Sequence, residues 1–441
     1  MKKKFYIKTW GCQMNEYDSL TIKKILQKDK KYIYTNNFHE ADILILNTCS
    51  VREKAQEKLF HQLGRWKYLK NKNKNIIIAV GGCVANQEGK KITKRAKFVD
   101  IIFGTQTLHR LSKMITDVLR EKKIFIDISF PKGEKFKNIT QPNYHNYSAS
   151  ISIIEGCNKY CSFCIVPYTR GREISRPFHD IIYYIKSISQ NGIKEIQLLG
   201  QNVNSYKYID EKGKKYTFAK LLKEIATIPT ISRIKFITSN PMEFTDDIIN
   251  IYHETKKIVN FLHLPIQSGS NRILKLMKRP YSVEKYQEII DKLKLARPEI
   301  QISSDFIIGF PSETESDFQN TMKIVKKINF DMSFSFIYSP RPGTPASKLK
   351  DNISIEEKKN RLYKLQKQLK KQTLNWTKNM INSQQKILVE KYYDQNLNII
   401  AGRTENNRTV ICQVKENVIG NIITVNITKQ KNNMLYGEYI K

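Results

Sequence analysis

Short apolar runs alternate with amphipathic stretches along most of this chain, and that alternation restricts its fold more than any other feature. Strand candidates at residues 5–8, 42–47, 76–80 and 99–103 are separated by segments that include helical spacing at 52–69 and 107–119. Strand, helix, strand in repetition predicts an α/β domain with a parallel sheet over residues 1–120. Residues 121–148 contain Pro131, Gly133, Pro142 and many polar side chains, and read as a linker. The alternation resumes over 149–375, with strand candidates at 149–154, 195–199, 233–237, 261–266, 301–308 and 333–338. Six βα units are too few to close the eight-stranded barrel, so a partial (βα)6 barrel is expected. A basic helical stretch at 352–382 then leads into about five short strands, and residues 376–441 read as a small closed β-barrel of OB-like type.

The 441 residues carry a formal net charge of +35. A surplus this large predicts attraction to a polyanion such as RNA. A lysine-rich composition without any binding purpose would give the same surplus, so charge alone leaves RNA binding open. The longest apolar uncharged stretch, near 76–85, falls far short of the roughly 18–20 residues that span a bilayer. Lys8 follows too soon after the lysines at positions 2–4 for a signal peptide. A cytoplasmic protein without membrane contact is expected.

Seven cysteines, an odd number without a secretory signal, argue for metal or redox chemistry over a disulfide framework. Cys157, Cys161 and Cys164 form C-x3-C-x2-C directly after the first strand of the central domain. Three thiolates on one loop can hold three corners of an iron–sulfur cube and leave the fourth iron open to a small chelating ligand. A structural zinc wants four protein ligands, and no nearby Cys or His completes that set. Cys12, Cys49 and Cys83 each fall within a few residues of the carboxyl end of a predicted strand. Taken singly, such cysteines are more often core residues. In a parallel sheet, however, those strand ends lie side by side on the ligand-binding edge, so three thiolates from three loops can converge on a second cluster. Gly11, Gly81 and Gly82 would allow close backbone approach. Cys412, alone in an apolar strand of the C-terminal module, reads as packing.

The central loop resembles the signature of the radical S-adenosylmethionine (SAM) superfamily, in which SAM chelates the open iron and reductive cleavage yields a 5′-deoxyadenosyl radical. Gly11-Cys12-Gln13-Met14-Asn15-Glu16-Tyr17-Asp18-Ser19, Asn47-Thr48-Cys49, Gly82-Cys83-Val84-Ala85 and Pro167-Tyr168-Thr169-Arg170-Gly171-Arg172 add a closer resemblance, to the methylthiotransferases of that superfamily. The resemblance runs nearly end to end and implies an N-terminal methylthiotransferase domain, a radical SAM barrel and a C-terminal TRAM domain. It also implies two 4Fe-4S clusters, one on Cys12, Cys49 and Cys83 and one on Cys157, Cys161 and Cys164 with exchangeable SAM. The implied substrate is isopentenylated adenosine at tRNA position 37, converted to its 2-methylthio derivative. An external electron donor and sulfur source are implied partners, and a monomer is expected. Gln13-Met14-Asn15 favours this branch over methylthiotransferases for threonylcarbamoyl-adenosine or a ribosomal-protein aspartate. A non-enzymatic RNA-binding redox sensor would keep the six cysteines but leave the SAM-pocket residues without purpose.

By the same resemblance Phe163 would contact the adenine of SAM, and Gly200 and Gln201, after the second barrel strand, would receive its methionyl end. The segments 263–270 and 304–311, beginning with His263 and Ser304, end the fourth and fifth strands and point polar groups at the barrel mouth. His263 can equally be a hydrogen-bonded core residue. Asn240 and Ser312 stand where the family more often has histidine and glycine. Arg403 and Arg408, with Asn406 and Asn407 between them, are candidate RNA contacts or a solvated loop. The lysine-rich helix at 358–378 can track a phosphate backbone or form a solvated face.

Overall fold

The computed structural model describes residues 2–50, 53–131, 134, 136, 144 and 147–440, without the side chains of 53–56. Two compact units divide the chain. One comprises Met1–Asn143, Ile154–Arg176 and Arg341–Thr344; the other comprises Tyr144–Ile153, Pro177–Pro340 and Pro345–Lys441.

The first unit is built on six parallel strands, β1 (Lys3–Trp10), β2 (Tyr32–Tyr34), β3 (Ile43–Thr48), β4 (Ile77–Gly82), β5 (Ile101–Phe103) and β6 (Phe125–Asp127). Ile-Leu-Ile-Leu-Asn-Thr in β3 and Ile-Ile-Ala-Val-Gly-Gly in β4 are buried at every position, as strands covered on both faces must be. Successive side chains feed two cores. Ile43, Ile45, Ile77 and Ala79 pack with Ile22 and Leu26 of helix α1 (Gln13–Lys28) and with Leu111 and Ile115, while Leu44, Leu46, Ile78 and Val80 pack with Leu59, Leu63 and Trp66 on the other face. The strand order is β2-β1-β3-β4-β5-β6. The chain therefore leaves β1 toward one edge and returns past it toward the other, which makes the carboxyl ends of β1 and β3 a topological switch point, where ligands of open α/β sheets bind.

Three elements here differ from expectation, one of them strand β2, which at three residues was not among the strand candidates. Helix α1 was not visible in the spacing, because Asn15, Asp18, Ser19 and Thr21 interrupt its apolar pattern and are nevertheless buried. Strand β6 lies within the stretch read as linker and pairs with β5 over Ile101–Phe103. Most of 132–146 lies outside the described residues, as does Arg52 at the start of the helix expected from 52.

The second unit contains the six expected barrel strands, with Gln301–Ile308 split at Ser304 into Gln301–Ser303 and Asp305–Ile308. Strand Glu195–Leu199 lies between Ser148–Ser152 and Arg233–Phe236; Phe261–His263 pairs with Gln301–Ser303 and Asp305–Ile308 with Phe334–Ile337, all parallel. The long helix Ile355–Lys378 precedes five strands that close into a barrel. Cys412 is buried in that barrel's core, as expected.

The small barrel is fixed to its neighbours through polar contacts. Arg408 forms a two-pronged ion pair with Asp331, at 2.8 Å from Nη1 and 2.7 Å from Nη2. Asn406 donates to Gln301, the backbone N–H of Asn260 donates to Glu405, and Arg233 donates to the Arg403 carbonyl. Arg408 and Asn406 are thus buried structural residues, which removes them as RNA contacts. Arg403 and Asn407 stay at the surface. Among the described residues no helix is long and apolar enough to cross a membrane.

Candidate active site

The three N-terminal cysteines meet at the switch point of the sheet. Cys12 caps α1, its carbonyl accepting from the N–H groups of Asn15 and Glu16. Cys49 follows β3 and donates its N–H to the Trp10 carbonyl at 2.9 Å. Cys83 opens the short helix after β4. The thiols of Cys12 and Cys83 both hydrogen-bond with Cys49. That bond, aided by the Arg170 guanidinium against the cost of burial, draws both thiols down from 9.0 to about 6. Cys49, between two thiolates and buried, is pushed far up. Low-pKa thiols beside a fixed cation are the form in which cysteine binds metal.

The glycines and asparagines around these cysteines have a steric reason. A Cβ on Gly11 would lie 2.5 Å from the Asn15 side chain and 2.9 Å from Cβ of Cys49. Gly82 has φ +89°, and a Cβ there would come within 2.4 Å of the Thr48 carbonyl oxygen. Asn15 and Asn47 interlock behind the cysteines: Asn15 Nδ2 donates to Asn47 Oδ1 at 3.2 Å, and Asn47 Nδ2 donates to the Asn15 carbonyl and Ser19 Oγ, each at 2.9 Å. The hydroxyls of Thr48 and Ser50, on either side of Cys49, are buried without a partner. A thiolate set with unsatisfied donors around it fits a group rich in sulfide acceptors. No three His, Cys, Asp or Glu side chains among the described residues converge on one metal ion.

The segment Ile154–Arg176 belongs to the same unit. Its ends pair as a two-stranded ribbon, Ile154–Glu155 with Ile174–Ser175, and the loop between them carries Cys157, Cys161 and Cys164. Gly156 has φ +79°, and a Cβ would meet the Arg172 carbonyl oxygen at 2.1 Å. The Cys157 N–H donates to the Gly171 carbonyl at 3.1 Å, and Cys164 N–H to the Cys161 carbonyl at 3.0 Å. Burial pushes the Cys157 thiol up to about 11. Phe163 is half-buried beside Cys164.

Arg170, from the same segment, is fully buried within this unit. Its Nη2 bonds Asp18 of α1 at 2.8 Å and its Nη1 lies 3.6 Å from Glu155. Gln106 donates to both Glu155 and the Arg170 carbonyl, and Thr105 donates to the Thr169 carbonyl. Burial works against the guanidinium charge, but Cys83, Asp18, Glu155 and Cys12 outweigh it and hold the charge firmly. Sequence reasoning quoted Asp18 and Arg170 as parts of motifs without assigning them a task. The two lie 152 residues apart, so no local pattern signals their pairing.

In the second unit the expected SAM contacts occupy strand ends. Gly200 is buried and its carbonyl accepts from Thr238 Oγ1 at 2.6 Å; Gln201 beside it is half-buried. His263 lies between Ser303 Oγ, 2.9 Å from Nδ1, and Asp305 Oδ2, 3.3 Å from Nε2. Ser304 Oγ accepts from the Ile266 N–H at 3.0 Å. These bonds fix both side chains at the carboxyl ends of their strands. The two departures from the family pattern also find roles: Asn240 caps a 3-10 turn by accepting from Met242, and Ser312 holds a left-handed conformation, φ +67°, that glycine adopts freely.

Comparisons with known proteins agree with this architecture. Residues 4–104 match the family described as uncharacterized protein family UPF0004, residues 151–325 the Radical SAM superfamily and residues 378–440 the TRAM domain. The solved radical SAM methyltransferase TsrM from Kitasatospora setae shares the fold, with a TM-score of 0.57 at 13% identity over 78% of this chain and 75% of its own. The cobalamin-dependent SAM radical enzyme OxsB gives 0.53 at 14% identity over 84% of this chain and 56% of its own. The fold and the central domain therefore define a radical SAM enzyme, a class that works with SAM and a 4Fe-4S cluster. Among curated relatives, a protein of Buchnera aphidicola from Schizaphis graminum is 60% identical over 99% of this chain and 100% of its own length. One from Salmonella arizonae is 53% identical over 100% of this chain and 93% of its own. Both are named tRNA-2-methylthio-N(6)-dimethylallyladenosine synthase. The chain belongs to the tRNA-2-methylthio-N(6)-dimethylallyladenosine synthase family.

Proposed function

We infer that this protein converts N(6)-isopentenyladenosine at position 37 of tRNA to 2-methylthio-N(6)-isopentenyladenosine. The observation that carries the reading is the second cysteine triplet: beyond the three that a radical SAM loop needs, Cys12, Cys49 and Cys83 meet at the switch point of a separate sheet with their thiols hydrogen-bonded. Replacing an aromatic C–H by C–S lies outside side-chain acid–base chemistry, and bound clusters and SAM would supply the radical and the sulfur.

On this reading Cys157, Cys161 and Cys164 hold the SAM-chelating cluster and Cys12, Cys49 and Cys83 hold the other. Phe163, Gly200, Gln201, His263 and Ser304 position SAM. Asn15 and Asn47 keep the N-terminal loops in register, and Arg170 holds a positive charge beside their thiolates. Residues 1–120 extended by β6 form the methylthiotransferase domain, 149–375 the radical SAM domain and 376–441 the TRAM domain. The +35 charge supports tRNA as the substrate, and an external electron donor and sulfur source complete the reaction. Mass spectrometry of tRNA nucleosides after incubation of the anaerobically reconstituted protein with isopentenylated tRNA, SAM, sulfide and dithionite tests this. A 2-methylthio product is expected; modification of threonylcarbamoyl-adenosine instead would overturn the substrate assignment.

A further inference from the structure

We propose that Arg170, carried on the segment that bears the central cysteines, is the charge-compensating residue of the Cys12, Cys49 and Cys83 centre and sets how readily that centre accepts an electron. The proposal rests on those three cysteines being cluster ligands. Its basis is geometric. Arg170 is fully buried in the unit that holds α1, β3 and β4; Nη2 is bonded to Asp18, one turn and a half along α1 from Cys12, and Nη1 has no hydrogen-bonded nitrogen or oxygen. Glu155 stands 3.6 Å from Nη1, the guanidinium hydrogen-bonds the Cys83 thiol, and its charge also reaches Cys12.

A buried ion is retained where its partners outweigh desolvation. Asp18 and Glu155 share this interior with the buried Arg176 as well as with Arg170. Two guanidiniums thus face two carboxylates, and part of the Arg170 field falls on the cysteines. When the centre takes up one electron from a reductant such as dithionite, its charge falls by one and no bond to protein forms or breaks. A fixed cation within a low-dielectric interior favours that more negative state and raises the potential. Arginine serves here because it stays protonated through any such change.

The test is an EPR-monitored redox titration of the full-length chain with Cys157, Cys161 and Cys164 replaced by Ala, so that the N-terminal centre alone is read. About four irons per chain are expected in that background. Arg170→Met should shift the midpoint to more negative values, Arg170→Lys should stay near the parent, and Asp18→Asn or Glu155→Gln, which leave Arg170 less compensated, should shift it the opposite way. A purely structural Arg170 would not give shifts of opposite sign. If Arg170→Met does not load iron, Arg170→Gln, which can still donate to Asp18 but carries no charge, gives the same reading. Midpoints unmoved in all the iron-loaded variants, or moved in one direction by both kinds of change, would overturn the proposal. Absence of iron from the parent background would instead overturn the assignment of the three cysteines.

Discussion

Arg408 of the C-terminal barrel and Asp331 of the radical SAM barrel form a two-pronged ion pair at 2.7 and 2.8 Å, with the Asp331 side chain wholly removed from solvent. Removing one partner of a buried pair leaves the other charge uncompensated, at a cost of about 3–5 kcal/mol. Arg408→Ala and Asp331→Ala should therefore lower the urea midpoint of the chain and expose the stretch after Lys378 to protease. Arg403→Ala should leave that midpoint unchanged and weaken tRNA binding with a flatter salt dependence. Equal stability of all three variants would show that this pair does not fix the C-terminal barrel.

Thiol reactivity offers a second check, on the apo protein. Hydrogen bonding to Cys49 and the charge of Arg170 place the exposed Cys12 thiol at about 6, whereas burial places Cys157 at about 11. The thiolate is the reacting form, and its fraction rises with pH through the pKa. Iodoacetamide labelling of the reduced, iron-free chain should thus reach half its limiting rate near pH 6 at Cys12. Cys157 should stay slow up to pH 9. Peptide mass spectrometry reads both sites in one sample, and parallel pH profiles for the two would contradict the electrostatic picture.

Gly82 tests the cradle. With φ +89° and ψ −166° it lies where a side chain costs roughly 1–3 kcal/mol, and a Cβ would press on the Thr48 backbone at 2.4 Å. Gly82→Ala should displace Cys83 and halve the iron content on reconstitution, from about eight to about four per chain, with SAM cleavage retained. Full iron loading in this variant would show that Gly82 serves only the turn.

Ser312 makes the reverse case. It occupies a left-handed conformation at φ +67°, so Ser312→Gly should relieve strain and stabilise the chain by up to about 1 kcal/mol, after the extra chain entropy of glycine is set against it. Thermal unfolding measures this, and a lower midpoint would mean that the hydroxyl contributes more than the strain costs.

What the sequence disclosed and what it hid follow one physical line. Apolar periodicity located the six barrel strands and the five-stranded C-terminal barrel, since those elements are defined by what they bury. The placement of Cys12, Cys49 and Cys83 at strand ends was also readable, because a parallel sheet gathers such ends on one edge. Helix α1 escaped notice since its buried face is half polar: Asn15, Asp18 and Ser19, buried beside Met14, Tyr17, Ile22 and Leu26, face the cysteine loops and their supports. The three-residue strand β6 lacked the length to stand out among prolines and polar side chains. Arg408 was weighed as an RNA contact because an arginine in a basic loop looks the same whether it meets phosphate or a buried aspartate. Its partner Asp331 lies 77 residues away, beyond any local pattern.

The division of labour between the two cysteine triplets is the centre of this account, and Cys49→Ala tests it most directly. In a single anaerobic assay with isopentenylated tRNA, SAM and reductant, this variant should still release 5′-deoxyadenosine while forming no 2-methylthio-N(6)-isopentenyladenosine. Iron near four per chain should confirm that its central cluster has assembled. A variant that formed the methylthio nucleoside at the parental rate would contradict the account and return Cys12, Cys49 and Cys83 to the role of core residues.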